Sequence, residues 1–243
     1  MPVITPFDSE LCIDFDSFKS HLDFLYTNGI RAFVIGGTTG EGLTLTKDEV
    51  GQLMSIAKTY KEVELWACVV SFSKMMDFTH LHQADYLLVM PQFFVRPGQH
   101  DVLDFYKLIL EKTCQNIVMY NNPVRTGVSI AEMYPELLEL SERIIGVKET
   151  VFSNLPSIRF WYGDDVAAAE QAGYGLISAT ANVEPNLSQK ISHHICTAEE
   201  KNEWLKLAKD MFAFPNPLCI KRRLKEMGVI RNDITRFPIS IYK

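Results

Sequence analysis

No apolar run in this sequence approaches the roughly twenty residues that a membrane-crossing helix needs. The opening residues lack a secretion-signal pattern, and the only glycosylation sequon, Asn186-Leu187-Ser188, carries no meaning without one. Cysteine is sparse: Cys12, Cys68, Cys114, Cys196 and Cys219 are scattered, odd in number and never spaced C-x-x-C. That excludes a disulfide framework and a zinc ribbon and leads us to expect a reducing cytoplasm. Basic charge is in deficit, with 24 Lys and Arg against 30 Asp and Glu and a net charge of −6. A nucleic-acid or membrane surface is therefore not expected. The glycine turn at Gly36-Gly37-Thr38-Thr39-Gly40-Glu41 lacks the lysine of a phosphate-binding P-loop, which excludes nucleotide binding there. His80, His82, His193 and His194 come in close pairs, but no carboxylate or cysteine stands beside them at a metal-ligand spacing. They read as helix-surface groups, and neither a metal nor a cofactor is called for. Linkers, repeats and low-complexity segments are absent too, so one domain is expected over residues 1–243.

What is present is an alternation. Short apolar runs at Val3-Ile4, 32–35, 65–70, 86–90, 117–120, 144–147, 158–162 and 176–180 have the strand character of a sheet buried on both faces. Helical patterns fill most gaps: Asp14 can cap a helix running to Asn28-Gly29, with Phe15, Phe18, Leu22 and Leu25 on its apolar face, and Thr46 can open a second. Others cover 102–112, 130–140 and 166–172. Strands alternating with helices imply a parallel sheet, and eight such units imply closure into a (β/α)8 TIM barrel, for which 243 residues is close to the usual about 250. The barrel is expected over about 1–195, with extra C-terminal helices over about 196–243, near 198–212 and 218–227. It looks trimmed: the gap from Ser71 to Asp85 admits only a short helix, and little room is left for one after Lys148 around Asn154-Leu155-Pro156. The basic segment Lys221-Arg222-Arg223, with Lys225, reads as a solvated helix face.

In such a barrel the chemistry belongs at the C-terminal ends of the strands. The run Ile144-Ile145-Gly146-Val147 ends in Lys148, followed by Glu149 and Thr150. An ammonium at the end of a buried strand is hard to solvate, so its pKa should fall and the free amine become a nucleophile toward a carbonyl. Taken alone, a lysine there more often only marks where the strand surfaces. Thr38 and Thr39, with the free N–H groups of their glycine turn, can cradle a carboxylate, or can equally be the capping residues of a plain loop. Tyr120 can relay protons and Arg125 can grip a carboxylate, or they can be a core aromatic and a surface arginine. Gly163-Asp164-Asp165 can orient a substrate or cap the next helix, and capping is the preferred reading of Asp165. The last run, Gly175 to Asn182, is small and polar enough to leave space for a ligand.

These segments carry a resemblance. Thr5-Pro6-Phe7, Gly37-Thr38-Thr39-Gly40-Glu41, Tyr120-Asn121-x-Pro123-x-Arg125-Thr126-Gly127, Gly146-Val147-Lys148-Glu149, Gly163-Asp164-Asp165 and Asn216-Pro217-Leu218-Cys219-Ile220-Lys221 follow one another in that order over nearly the whole chain. Together they resemble the pyruvate-dependent class I aldolase family that includes dihydrodipicolinate synthase and N-acetylneuraminate lyase. Arg125 and the Asn-Pro segment are similar to the dihydrodipicolinate synthase branch. The resemblance implies that Lys148 forms an imine with pyruvate and that Thr38 and Thr39 hold the pyruvate carboxylate. It further implies that Tyr120 and Thr39 move protons, that Arg125 receives the carboxylate of L-aspartate 4-semialdehyde, and that Ile177 lines the substrate pocket. It implies no cofactor, small-molecule partners only, and a homo-oligomer, dimer or tetramer. The branch usually has two adjacent tyrosines where this sequence has Phe93 and Phe94, the second reaching a neighbouring subunit's site. The chain also stops soon after Phe237-Pro238, where relatives usually continue into another helix. Lysine-inhibited relatives present histidine on the helix where this sequence has Thr46-Lys47-Asp48-Glu49-Val50, so inhibition by lysine is not expected. The alternatives are another pyruvate aldolase acting on a sugar acid or keto acid, and a catalytically weak carboxylate-binding paralogue.

Overall fold

Parallel strands need helical crossovers that return the chain to the same edge, and the chain supplies them one after another. The computed structural model describes residues 1–69, 78–150, 158–170 and 173–239. Its sheet holds β1 Ala32–Ile35, β2 Glu64–Val69, β3 Tyr86–Val89, β4 Asn116–Asn121, β5 Ile144–Glu149, β6 Phe160–Tyr162 and β7 Gly175–Leu176, side by side in sequence order. Every neighbouring pair is parallel. The α-helices are α1 Phe15–Thr27, α2 Lys47–Ala57, α3 Gln99–Lys112, α4 Pro123–Thr126, α5 Tyr134–Glu139, α6 Pro185–Ser192, α7 Ala198–Met211 and α8 Leu218–Glu226.

The first apolar run, expected as a strand, contributes only an isolated parallel bridge from Pro2 to Val34. Even so, it closes the sheet. Val3 N–H donates to Val34 O (3.1 Å) on one side, and Asn182 Nδ2 donates to Pro2 O (2.8 Å) on the other, tying β1 to the segment after β7. The result is a trimmed (β/α)8 barrel with extra C-terminal helices.

Period-two alternation sorts the strand residues into two layers. Phe33, Ile35, Leu65, Ala67, Val69, Leu87, Val89, Ile117 and Met119 face outward into the core shared with the helices. Val34, Trp66, Cys68, Leu88, Met90, Val118 and Tyr120 face the barrel interior with Ile177. At the base of that interior Trp66 packs at a tilt on Tyr86 (4.8 Å) and edge-to-face against Trp161 (5.6 Å), a large aromatic plug. On α1, Asp14 caps as expected and Phe18, Leu22 and Leu25 are fully buried; Phe15 is exposed and is no core residue. The buried member of that face missed in the sequence is His21, whose ring has no hydrogen-bond partner and is driven by burial to a pKa of about 3.

Three other readings change. The run at 176–180 is a two-residue strand, because Thr180–Asn182 turn into a 3-10 helix. Side chains take over its backbone donors: Asp165 Oδ2 accepts from Thr180 N–H (2.8 Å) and Ser178 Oγ from Ala181 N–H (3.0 Å). Asp165 therefore does not cap the segment after β6. Asp164 does, accepting from Val166 and Ala167 N–H, and the helix expected at 166–172 is a 3-10 turn at Ala167–Ala169 among the described residues. The short helix read after Ser71 and the reduced one after Lys148 fall largely on 70–77 and 151–157, outside the described residues; Thr79–Leu81 form a 3-10 turn.

The third correction concerns Lys221, which is not on a solvated face. It is fully buried and ion-paired with Glu41, itself buried, while also donating to Ile234 O (2.7 Å) and lying over the Phe7 ring (4.3 Å). Glu41 Oε2 accepts from Arg236 N–H (2.8 Å), and the Arg236 guanidinium pairs with Glu49 (2.6 Å). Burial pushes the Glu41 carboxyl up and the Lys221 ammonium down to about 8, each opposed by the other's charge. Removing one partner strands the other. Lys221→Met should cost about 3–5 kcal/mol in urea unfolding, and Glu41→Gln in the same chain should recover much of that loss. A double variant as unstable as the single one would show that the pair does not set the cost.

Candidate active site

The position of Lys148 depends on one irregularity. Between β4 and β5 the register steps from Ile117↔Ile144 to Val118↔Gly146, leaving Ile145 as an extra residue. Strict alternation would place Lys148 on the face of Ile144, outward among the helices. The bulge changes that parity. Ile144 and Val147 pack in the outer core, Ile145 packs on the interior cluster, and Lys148 turns inward opposite Tyr120. Its Nζ lies 4.3 Å from the centroid of the Tyr120 ring, and the residue is 7% exposed. Glycine is required at the bulge because a Cβ on Gly146 would stand 2.3 Å from Arg159 O in the segment leading into β6. Across the barrel top, a Cβ on Gly163 would stand 2.8 Å from Lys148 Cε, so that glycine leaves the lysine its room.

Behind the lysine, the outward partners of the same strand ends are locked together. Glu149 is fully buried and accepts from Tyr134 OH (2.5 Å), Asn121 Nδ2 (3.0 Å) and Thr150 N–H (2.7 Å). Asn121 Oδ1 accepts from Ile130 N–H (3.1 Å), and Thr150 Oγ1 donates to Asn121 O (3.0 Å). Burial and the neighbouring carboxylate raise the Tyr134 phenol well above its usual range, so it stays a donor. This network holds β4 and β5 in register one residue beyond Tyr120 and Lys148.

The turn after β1 brings Thr38 and Thr39 to the same mouth. A Cβ on Gly42 would fall 1.7 Å from Gly36 O, which shows how tightly the turn folds on itself. Thr39 is buried and its Oγ1 accepts from Asn216 Nδ2 (3.0 Å); Thr38 is half-buried. Tyr120 Oη accepts from Asn122 Nδ2 (3.2 Å). Arg125, on α4, is exposed at the rim, and its guanidinium is in no ion pair among the described residues.

One cavity of about 1030 Å³ is lined by Thr38, Thr39, Tyr120, Arg125, Lys148 and Ile177 together. Cys68, Phe93, Asp165, Phe212 and Asn216 line it as well and were missed as site residues. Strand parity could have found Cys68, two positions beyond Trp66 on the interior face; Asn216 stood in the Asn-Pro segment of the resemblance without a site role, and nothing local marks Phe212, both lying between α7 and α8. Burial pushes the Cys68 thiol up to about 12, against the opposing pull of Lys148. The Asp165 carboxyl is raised by burial and partly restored by Thr180 and Ser178. Among the described residues no group of three His, Cys, Asp or Glu is placed to hold a metal ion. Chemically, the cavity wall offers an amine, the hydroxyl groups of Thr38 and Thr39 and a phenol, with a guanidinium at the entrance.

Gly146→Ala should destabilise the protein by at least about 1–3 kcal/mol in urea unfolding, since the added methyl meets backbone that cannot yield. Gly51, inside α2 with nothing within 4 Å of a built Cβ, is the contrast: Gly51→Ala should stabilise by about 0.5–1 kcal/mol.

The family model described as the dihydrodipicolinate synthetase family matches residues 1–242. A 4-hydroxy-tetrahydrodipicolinate synthase of Chlamydia trachomatis serovar D is 30% identical over 258 aligned positions, covering 98% of this chain and 87% of that protein. A dihydrodipicolinate synthase structure from Thermotoga maritima superposes with a TM-score of 0.85 at 25% identity, covering 100% of this chain and 92% of the other. A structure characterised as a monomeric dihydrodipicolinate synthase variant gives the same TM-score and identity, covering 100% of this chain and 90% of the other. With its barrel closed, its lysine turned inward and its full length matched, the chain belongs to the dihydrodipicolinate synthetase family.

Proposed function

We propose that this protein is a pyruvate-dependent Schiff-base lyase that condenses pyruvate with L-aspartate 4-semialdehyde to 4-hydroxy-tetrahydrodipicolinate, a step of lysine and diaminopimelate biosynthesis, in the cytoplasm. The observation that carries the reading is the buried Lys148 amine over Tyr120, opening into the cavity that Thr38 and Thr39 also line. The Lys148 amine attacks the pyruvate carbonyl and water leaves, giving an imine. Thr38 and Thr39 hold the pyruvate carboxylate by their hydroxyl groups. The imine nitrogen withdraws electrons, so the methyl carbon gives up a proton through Tyr120 and Thr39 and becomes an enamine. That carbon attacks the aldehyde, whose oxygen takes a proton back. Arg125 at the rim receives the second carboxylate as a bidentate partner. The semialdehyde's own amine then displaces Lys148 from the imine, closing a ring and freeing the enzyme. Ile177 walls the reacting carbon from water.

Leu43 and Val124 at the cavity mouth and the neighbouring Phe94 and Val95 are exposed apolar groups, Phe94 to 93%. A second copy of the chain would cover them, so we read the protein as a homo-oligomer, dimer or tetramer. Phe94, at a φ of 72°, stands in the sequence where the family resemblance puts the second tyrosine, the one that reaches a neighbour.

Pyruvate with borohydride should leave a reduced adduct on Lys148, located by mass analysis of peptides, and Lys148→Ala should abolish it while the fold persists. An adduct elsewhere, or none at saturating pyruvate, would remove the aldolase reading. The missing hydroxyl at Phe94 should make turnover slow while leaving trapping intact, because general acid–base groups contribute about 10²–10⁴-fold. Phe94→Tyr should raise turnover of pyruvate with the semialdehyde at least several-fold, with mass and activity measured on one sample. If both proteins trap pyruvate and neither turns over the semialdehyde, another aldolase of the family or a carboxylate-binding paralogue takes its place.

A further inference from the structure

The phenol of Tyr120 is held by one side chain that the chemistry above leaves unused. Asn122 stands two residues on, at the N-terminal cap of α4, and lines the same cavity. Its amide works in two directions. Oδ1 accepts from Arg125 N–H (3.2 Å) and caps the helix, while Nδ2 donates to Tyr120 Oη (3.2 Å). The orientation is fixed, because turning the amide over would set its N–H groups against Arg125 N–H and lose the cap. The backbone of Asn122 is fixed as well: its carbonyl accepts from Thr126 N–H (3.0 Å) and Thr126 Oγ1 (3.0 Å), and Pro123 follows at the start of the helix.

Capping alone does not call for asparagine. Aspartate or serine would accept from the same N–H about equally well, and threonine nearly so. Of these, asparagine alone carries an acceptor and an amide donor on separate atoms, so that one end caps the helix while the other faces the phenol. The consequence for Tyr120 follows from its own inventory: a phenol has one proton to give and lone pairs to receive. With an N–H aimed at Oη, and no other hydrogen bond to that oxygen among the described residues, the phenol's proton is left for the cavity. Lys148 Nζ stands there, 4.3 Å from the ring centroid. A proton moved through Tyr120 leaves a phenolate on one side of the step, and a hydrogen bond to an anionic oxygen is stronger than one to a neutral oxygen. The donor is in place before that charge forms.

We propose that Asn122 is a positioning residue of the site: its Nδ2–H holds Tyr120 Oη and stabilises the phenolate formed as Tyr120 moves a proton to or from the pyruvate imine. This rests on the pyruvate reading and adds to it a task for the cap of the helix that carries Arg125. Substitutions that keep the cap separate that task from helix stability. Asn122→Ser still accepts from Arg125 N–H but offers no amide to the phenol. Asn122→Asp caps equally well and reverses the second contact, because an ionised carboxylate only accepts and draws the phenol's proton to itself. Asn122→Ala loses both contacts.

Two readouts separate the steps. Borohydride trapping on Lys148 at saturating pyruvate needs only the imine. Exchange of the pyruvate methyl protons for deuterium, followed by proton NMR, needs the imine and the proton transfer. In Asn122→Ser, trapping and the urea midpoint should stay near those of the parent while exchange per trapped imine falls about tenfold or more, as for one hydrogen bond to a charged oxygen. Asn122→Asp should fall further at the same midpoint. A charge effect on pyruvate binding would raise the pyruvate concentration needed for half-maximal exchange, whereas loss of the donor lowers the maximal rate. Asn122→Ala should lose exchange as Ser does and stability besides. If Asn122→Ser and Asn122→Asp exchange like the parent and only Asn122→Ala is impaired, Asn122 is a helix cap and nothing more, and the proposal is overturned. Should Asn122→Asp not fold, Asn122→Ser against the parent decides by the same criterion. A parent that traps pyruvate yet exchanges no methyl proton overturns the proposal too, since no proton step remains for the amide to serve. Failure of the parent to trap pyruvate on Lys148 defeats the lyase reading itself, and this proposal with it; trapping with unaltered exchange in the variants defeats this proposal alone.

Discussion

The site depends on a parity. Side chains on a strand alternate between two faces, and a lysine four residues after an outward isoleucine should itself face outward, into the layer between sheet and helices and away from the cavity. One extra residue at Ile145 reverses that assignment for Val147 and Lys148 and brings the amine to the barrel interior beside Tyr120. The bulge in turn needs a residue without a side chain at Gly146, where the neighbouring backbone leaves no space for a Cβ. Because bulges trade ladder regularity for the aim of one side chain, the surrounding register must be secured by other means. The buried hydrogen bonds of Glu149, Asn121, Tyr134 and Thr150 do this at the very next position.

A second constraint ties the C-terminal helices to the turn that carries Thr38 and Thr39. A buried charge pair contributes little net stability compared with apolar packing, yet breaking it is expensive. The Lys221–Glu41 pair therefore acts less as glue than as a register mark: α8 can dock in one place only, and docking there puts Asn216 on Thr39. The Arg236 guanidinium reinforces the same joint by bridging Glu49, Leu11 O and Thr44 O. The helices beyond the barrel are thus part of the wall of its cavity, which Phe212 and Asn216 line beside Lys148.

Much of this was legible in the chain itself. Alternating apolar runs and helical patterns, with Asp14 and Thr46 as caps, announce a parallel α/β barrel, since burial on both faces leaves a strand no polar positions. The segments ending in Thr39, Tyr120 and Lys148 stand out because polar groups interrupt apolar runs where strands end, and those three residues line one cavity. Lys221 was misread for the opposite reason. Its sequence neighbours Arg222 and Arg223 are exposed, and helical periodicity alone does not say which of three adjacent cations faces a buried carboxylate 180 residues away. Capping fell to Asp164 and not, as expected, to Asp165, because the acceptor is chosen by where free N–H groups lie, at Val166 and Ala167 for the first and at Thr180 for the second.

By itself, then, the order of residues determined which segments form strands and helices and which polar groups stand at strand ends, because these follow from periodicity and capping within a few residues. The tertiary structure alone decided which way Lys148 points, that Lys221 is buried and that Asn216 meets Thr39. Each of those depends on a register or a docking between segments far apart in the chain, where the deciding quantity is the space and the hydrogen-bond partner left by another strand or helix.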